Sequence, residues 1–447
     1  MASLIKLKKG LDIALEGVPQ QSMASVKEDP SWTFVPDDFN GLTPKILVRA
    51  GEPVAVGQPV ICDKLHPEIQ IVSPVSGTLE SVNRGERRKV LSVVVKKDGK
   101  STSTSLPAID PRKASADAVK KAMLERGVWP FLVQRPYCTI ADPEVQPRDI
   151  FVSLLDTAPL APSFEMVVKG QEAALQAGIT ALSRLTSGKV YVGVAARTQL
   201  NLSDCEIYEF EGPHPAGNVG VQINRIKPIN KGEKVWTATA QDVIVIGRVL
   251  AGSLDFTRVI TIAGSEILTP AYAKVLPGSS IASITSGKVK QAEYLQRFIS
   301  GNVLTGENVG RDGVLGAQTQ TLTVIPDGSD NAELFGWATP GCSRYSVSRS
   351  SLSAFLPKKL WTLDARLKGG RRALIVSGDW EKFFPMDIYP EHLFKAALAF
   401  DIDKMEELGI YEVAPEDFAL CEFVDASKTP VMQVIADALK RLKKEME

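Results

Sequence analysis

The sequence is poor in the residues that hold metals. Its five cysteines, Cys62, Cys138, Cys205, Cys342 and Cys421, are far apart, odd in number and form no Cys-x-x-Cys pair. That excludes a sequence-local iron–sulfur or zinc site, and the thiols read as small core residues. Three histidines, His66, His214 and His392, are equally scattered, so no metal is expected. An excess charge of one sign is also missing. Lys+Arg and Asp+Glu each number 52, so no overall field recruits nucleic acid and none is expected as a partner. No apolar run approaches the length of a bilayer crossing, and the start, Met1 to Gly10, carries lysines too early for a secretory signal. The chain is expected in the cytoplasm. What is present is globular: 447 residues, 44% hydrophobic and 23% charged, enough for about three or four domains.

The order of elements predicts a multidomain α/β protein: an all-β unit over 1–105, a Rossmann-like α/β unit over 106–255, a β-grasp-like unit over 256–330, a linker over 331–378 and a helical unit over 379–447. Residues 44–99 alternate apolar and polar between turns such as Gly51-Glu-Pro53 and Ser73-Pro-Val-Ser-Gly77, giving short strands. Their order resembles the biotinyl/lipoyl hammerhead, with Lys64 where a cofactor would be attached. Leu65 to Glu68 are extra residues before the next turn; Lys64 is therefore read as an exposed turn lysine, and no covalent cofactor is expected.

Ile150–Leu155, a helix from Gln171 to Thr186, and strands at 189–194 and 207–210 form the strand–helix–strand pattern of a parallel sheet. The stretch Ile207 to Gly220 ends a strand in Gly212-Pro-His-Pro-Ala-Gly217. Its glycines let backbone N–H groups approach a ligand and its prolines stiffen it, which suits a pocket floor or an ordinary connection. The spacing is not that of a dinucleotide loop. Residues 242–252 are apolar without a period that separates helix from strand. Val128 to Tyr137 is aromatic and proline-rich with one cation, Arg135; it either lines a pocket for a flat apolar ligand or packs on the core. Residues 358–372 are basic and serve either as a docking patch or as a solvated loop. Prolines at 390, 415 and 430 mark the starts of C-terminal helices, the last with Thr429 as its cap.

Leu4 to Ile13, Val82-Asn-Arg-Gly85, the Gly-Pro-His-Pro-Ala-Gly217 loop, Gly301-x-Val-Leu-Thr-Gly306 and Glu333-Leu-Phe-Gly-Trp-Ala338 together resemble the A subunits of bacterial sodium-translocating NADH:quinone oxidoreductases, over nearly the whole chain. The resemblance implies a complex that moves electrons from NADH to quinone and pumps sodium outward, with flavins and iron–sulfur centres in other subunits and no cofactor held tightly by this chain. It implies a peripheral protein on the cytoplasmic side of the inner membrane, among partners B to F and next to the membrane-embedded B partner. The family is similar to the NADH-binding flavoprotein of complex I and to the C subunit of Rnf complexes. Their glycine-rich flavin loop is not visible after Tyr137, and Asp417 to Val431 looks like a ferredoxin-type helical segment that keeps only Cys421. Quinone, as substrate, is expected where Trp129, Phe131, Arg135 and Tyr137 meet Pro213, His214 and Gly217. His214 is expected to supply a proton as quinol forms, because an unperturbed imidazole titrates near working pH. The alternatives are an autonomous flavin- or nucleotide-dependent dehydrogenase and a purely structural scaffold.

Overall fold

Alternation of apolar side chains builds the first unit. In the strand Val90–Lys97, Val93 and Val95 point inward while Leu91 faces out, as a half-buried strand requires. It lies between Ser31–Phe34 and Gly77–Arg84, with Pro53–Val54 beyond, and faces a second sheet of Pro44–Ile46, Pro59–Asp63 and Gln70–Val72. Lys64 sits in the turn after Pro59–Asp63. Its backbone N–H bonds Thr43 O at 2.7 Å, and Asp63 Oδ1 accepts from the N–H groups of Thr43 and Leu65. The computed structural model describes residues 3–329, 341–342, 344–348, 350–355 and 359–446. The Glu333 to Ala338 motif and Lys358 lie outside the described residues.

The second unit is organised by a seven-stranded sheet. Ser3–Lys6, Glu206–Glu211, Val190–Ala195, Ile150–Ser153 and Val235–Thr239 run parallel in that order, and Val133–Arg135 and Thr139–Ile140 extend it antiparallel. The chain steps from Ile150–Ser153 outward through two strands, then returns to the other flank as Val235–Thr239. The order therefore reverses at the carboxyl ends of those two strands, the place where open α/β sheets leave a crevice. Residues 240–250 are a helix, Ala240–Leu250, opened by a capping box in which Thr239 and Asp242 satisfy each other's backbone N–H. Every residue of it except Arg248 is buried, which is why no amphipathic period announces it. It packs closely on Glu172–Ser183, where Gly178 and Gly247 let the backbones touch.

Residues 3–23 depart from the expected 1–105 unit. Ser3–Lys6 joins the seven-stranded sheet. Gln20–Met23 pairs with Ala271–Val275 at the edge of a six-stranded sheet that also holds Arg258–Ala263, Thr321–Pro326, Gln296–Ser300 and Glu307–Asn308. Each N-terminal strand covers a row of edge N–H and C=O groups that water would otherwise have to satisfy.

The C-terminal helices Pro390–Ala399, Ile402–Glu407, Ala419–Val424 and Val431–Met446 close on Phe394, Met405, Phe418, Ile435 and Leu439, and this core continues into Leu7, Tyr137, Phe210 and Val221 of the α/β unit. Thr429 does not cap the last helix: its buried hydroxyl has no hydrogen-bond partner. Glu422 accepts from Met432 N instead, at 2.9 Å, because the preceding helix brings its carboxylate there. Among the described residues no helix is long and apolar enough to cross a membrane.

Candidate functional site

A cavity of about 1140 Å³ opens over the point where the strand order reverses. The floor is Ser153 to Asp156 and Thr237 to Asp242, one side is His214 to Val219, and the other walls come from the first β unit, the six-stranded sheet and the helical unit. Ser153 Oγ fastens the floor: it lies 2.8 Å from Leu155 O and 2.9 Å from Gly217 O, and accepts from Gln222 Nε2 at 2.9 Å. A Cβ on Gly217 would fall 2.7 Å from both Leu155 O and Thr157 N, so only glycine fits there.

His214 lies on the cavity wall, 4% exposed. Its Nδ1 is 3.1 Å from Thr157 Oγ1, a hydroxyl that also accepts from Gly217 N at 2.9 Å. The His214 backbone N–H donates to Asp12 Oδ1 at 2.9 Å. Burial lowers the imidazole pKa to about 4, against a small opposing pull from Asp12. This corrects the expectation of a ring that titrates near working pH: at pH 7 it is neutral, since removing an imidazolium from water costs more than Asp12 returns. The unfolded chain takes up the proton first, so stability is lost as pH falls from about 6.5 towards 4, by about 3 kcal/mol in all. His214→Gln should remove this component. The stability difference between wild type and variant, read by urea unfolding, should shrink as pH falls through that window; a pH-independent difference would refute the neutral buried ring.

Phe131, Arg135, His214 and Gly217 are brought to one cavity; Trp129, Tyr137 and Pro213 are not on its wall. Trp129 is fully buried, donates to Ala141 O at 2.8 Å and meets Trp236 edge-on. Tyr137 packs edge-on against Tyr411 of the helical unit. Pro213 lies against Gly10 of the N-terminal segment. Lys64 is not among the cavity residues either.

Arg135 is buried and spends its charge across a unit boundary: Nη2 donates to Glu416 Oε1 at 2.7 Å, and Nη1 lies 3.8 Å from Asp417 Oδ2. Its Nε and Nη1 have no hydrogen-bond partner. Burial pushes the Asp417 carboxyl up against the pull of Arg135. A Cβ on Gly220 would overlap this same carboxylate, so Asp417 stands against the opening of the helix Val219–Ile226. Asp242 fills the corresponding place at Ala240–Leu250 and binds Arg258 Nη2 at 2.6 Å. The openings of Val219–Ile226 and Ala240–Leu250 therefore each carry one of the chain's own carboxylates, where an anionic ligand would otherwise be drawn. Sequence reasoning missed Asp38, Asp156 and Glu416 on the cavity wall; Asp38 and Glu416 sit in single helical turns opened by Pro36 and Pro415, and Asp156 in a loop. An apolar recess of about 60 Å³, lined by Trp32, Phe34 and Phe39, shares Phe131 with the cavity. Among the described residues no group of three or more His, Cys, Asp or Glu is placed to hold a metal.

Residues 5–98 match the NqrA N-terminal barrel-sandwich hybrid domain, 114–253 the NqrA second alpha/beta domain, and 259–311 the NQRA C-terminal domain, an SLBB domain. The A chain of the Na(+)-translocating NADH-quinone reductase of Yersinia pseudotuberculosis serotype O:1b is 35% identical over 99% of this chain and 100% of its own length. The chain belongs to the NqrA family. The NqrA proteins of Serratia proteamaculans and of Neisseria meningitidis serogroup A are 36% and 34% identical over 99% of this chain and 100% of theirs. Its homologues are thus subunits of an enzyme complex, which implies further subunits as partners. The NqrA matches give the all-β unit its description as a barrel-sandwich hybrid and the six-stranded sheet its description as an SLBB domain. A solved NAD+-reducing [NiFe]-hydrogenase overlays with a TM-score of 0.36 at 10% identity, over 76% of this chain and 64% of that one, too low to carry an argument.

Proposed function

We propose that this NqrA chain binds quinone in the cavity above the strand reversal and serves its reduction to quinol within the complex. One observation carries the reading. Two of the helix openings beside the crevice, those of Ala240–Leu250 and Val219–Ile226, are filled by Asp242 and Asp417, which leaves less room for the phosphates of a nucleotide or flavin and suits an uncharged, flat ligand. Phe131 offers such a ligand a ring beside the apolar recess, and Arg135 stands on the same wall with its charge already shared with Glu416. The same carboxylates argue against an autonomous flavin- or nucleotide-dependent dehydrogenase. A neutral His214 has no imidazolium proton to give; it holds the Gly217 loop through Thr157.

In this reading the chain is peripheral, on the cytoplasmic side of the inner membrane against the membrane-embedded B partner, and binds no cofactor tightly. Flavins, iron–sulfur centres and the sodium path belong to the partners B to F. The helical unit, similar to a ferredoxin-type domain without ligands, is a wall of the cavity. Its Cys421 is fully buried and burial pushes the thiol well up, which fits packing and not ligation.

A photoreactive quinone, applied to the isolated chain and to the assembled complex and followed by peptide mapping, tests this. Label is expected on peptides containing Phe131 or the His214–Gly217 loop, and Phe131→Ala should weaken competition by unlabelled quinone about ten-fold, the worth of one well-placed aromatic contact. Label confined to other subunits would leave this chain a scaffold.

A further inference from the structure

The segment 359–379 crosses the surface with almost no helix or strand, an unusual length for irregular chain inside a packed protein. It is nevertheless fastened. Trp361 N donates to Ala14 O at 2.8 Å, Arg372 N to Ser427 O at 2.9 Å, and Ser427 Oγ returns a bond to Ala373 O at 3.1 Å. These bonds hold the backbone of the strip at both ends, and its cations fall into two kinds.

Some of its cations are spent inside the protein. Arg366 and Lys368 face Asp364, at 2.6 Å and 3.6 Å, and Lys359 lies 4.9 Å over the Trp361 ring. Arg371 and Arg372 are exposed, and Lys428 follows the Ser427 that pins them. These three have no ion pair or side-chain hydrogen bond among the described residues. The acid beside them, Asp425, is buried and its oxygens accept from Ser427 N and Thr429 N; Asp379 is paired with Lys382. The local charge is therefore positive and open to solvent.

Next to these cations the chain turns one apolar residue in and two out. Leu374 packs on the helical core, while Ile375 is 71% exposed and Val376 is exposed as well. A lone exposed aliphatic residue is ordinary, but an exposed pair beside three uncompensated cations has the chemistry of a bilayer interface: headgroup anions for the cations and the acyl boundary for the apolar tip. A protein partner would need a broad, shaped complement, which two aliphatic side chains on an irregular strip do not supply; a fluid surface needs none.

We propose that Arg371, Arg372, Lys428, Ile375 and Val376 form a contact site for an anionic lipid surface. The site stands apart from the cavity and does not depend on the quinone reading. The full chain should co-sediment with phosphatidylcholine vesicles containing phosphatidylglycerol, less with phosphatidylcholine alone, and less as salt is raised. Each cation removed should lower partitioning about five-fold, so Arg371→Gln with Arg372→Gln should lower it about twenty-five-fold. Ile375→Asp should lower it as well, and none of the three changes touches a packed side chain. No binding to anionic vesicles, or binding indifferent to the paired arginine change, overturns the proposal. A photocrosslinker at position 375 in the assembled complex separates the remaining source: lipid adducts support the proposal, and adducts to another protein of the complex overturn it.

Discussion

Arg258→Ala is expected to destabilise the chain by about 3–5 kcal/mol, the cost of leaving a buried carboxylate without its partner. The Arg258 side chain is 0% exposed, its Nη2 is 2.6 Å from Asp242 Oδ1, and its guanidinium lies 4.9 Å over the Phe131 ring. Arg258 begins a strand of the six-stranded sheet while Asp242 opens a helix of the α/β unit, so the pair joins two units at the cavity wall. Gln241 reinforces the joint by pairing its amide with both backbone groups of Val259, each at 2.7 Å. Asp242→Leu should cost a similar amount, with about 1 kcal/mol of it from the lost helix cap. The double change Arg258→Met with Asp242→Leu should cost less than the sum, because neither charge is then stranded. Urea unfolding of the four proteins measures this. A loss below about 1 kcal/mol for Arg258→Ala would mean that water reaches Asp242 and the joint is loose.

Gly247→Ala is expected to reverse the usual sign of a helix substitution. In an exposed helix, glycine to alanine gains about 1 kcal/mol. Here the added Cβ would overlap Ala174 O, and at Gly178 it would overlap Val243 O. The two helices must separate, which costs about 1–3 kcal/mol for one methyl and more for Gly247→Val. Since Ala240–Leu250 carries Asp242 and part of the cavity floor, Gly247→Val should also loosen the site. Thermal unfolding reads the first effect and quinone photolabelling the second. A stabilised Gly247→Ala would show that the helices have room to spare.

The strands and helices of the α/β unit were legible where their apolar residues keep a period. Leu175, Ile179 and Leu182 mark Glu172–Ser183, and the buried run at 190–195 marks a strand covered on both faces. The helix Ala240–Leu250 was not legible from period because it is buried all round, although Thr239 and Asp242 spell its capping box. The family resemblance was legible from motifs in order along the chain. The cavity was not, because its walls come from segments as distant as Asp38 and Met432. Arg135 stands out in the sequence as the one cation of an aromatic segment that either lines a pocket or packs on the core, yet its acidic partner stands 281 residues further along. His214 is marked by its glycine-rich loop, while its bonding partners Asp12 and Thr157 arrive from elsewhere in the chain.

The stretch from Ser3 to Met23 leaves the α/β sheet beside Glu206–Glu211 and ends beside Ala271–Val275 of the SLBB unit. During synthesis it is made before either of its docking edges, which follow only after about 200 further residues. Through that interval the nascent chain carries two strands with nothing to pair with. Slower folding is the expected cost of closing two units with a single early thread, because its contacts are far apart in sequence.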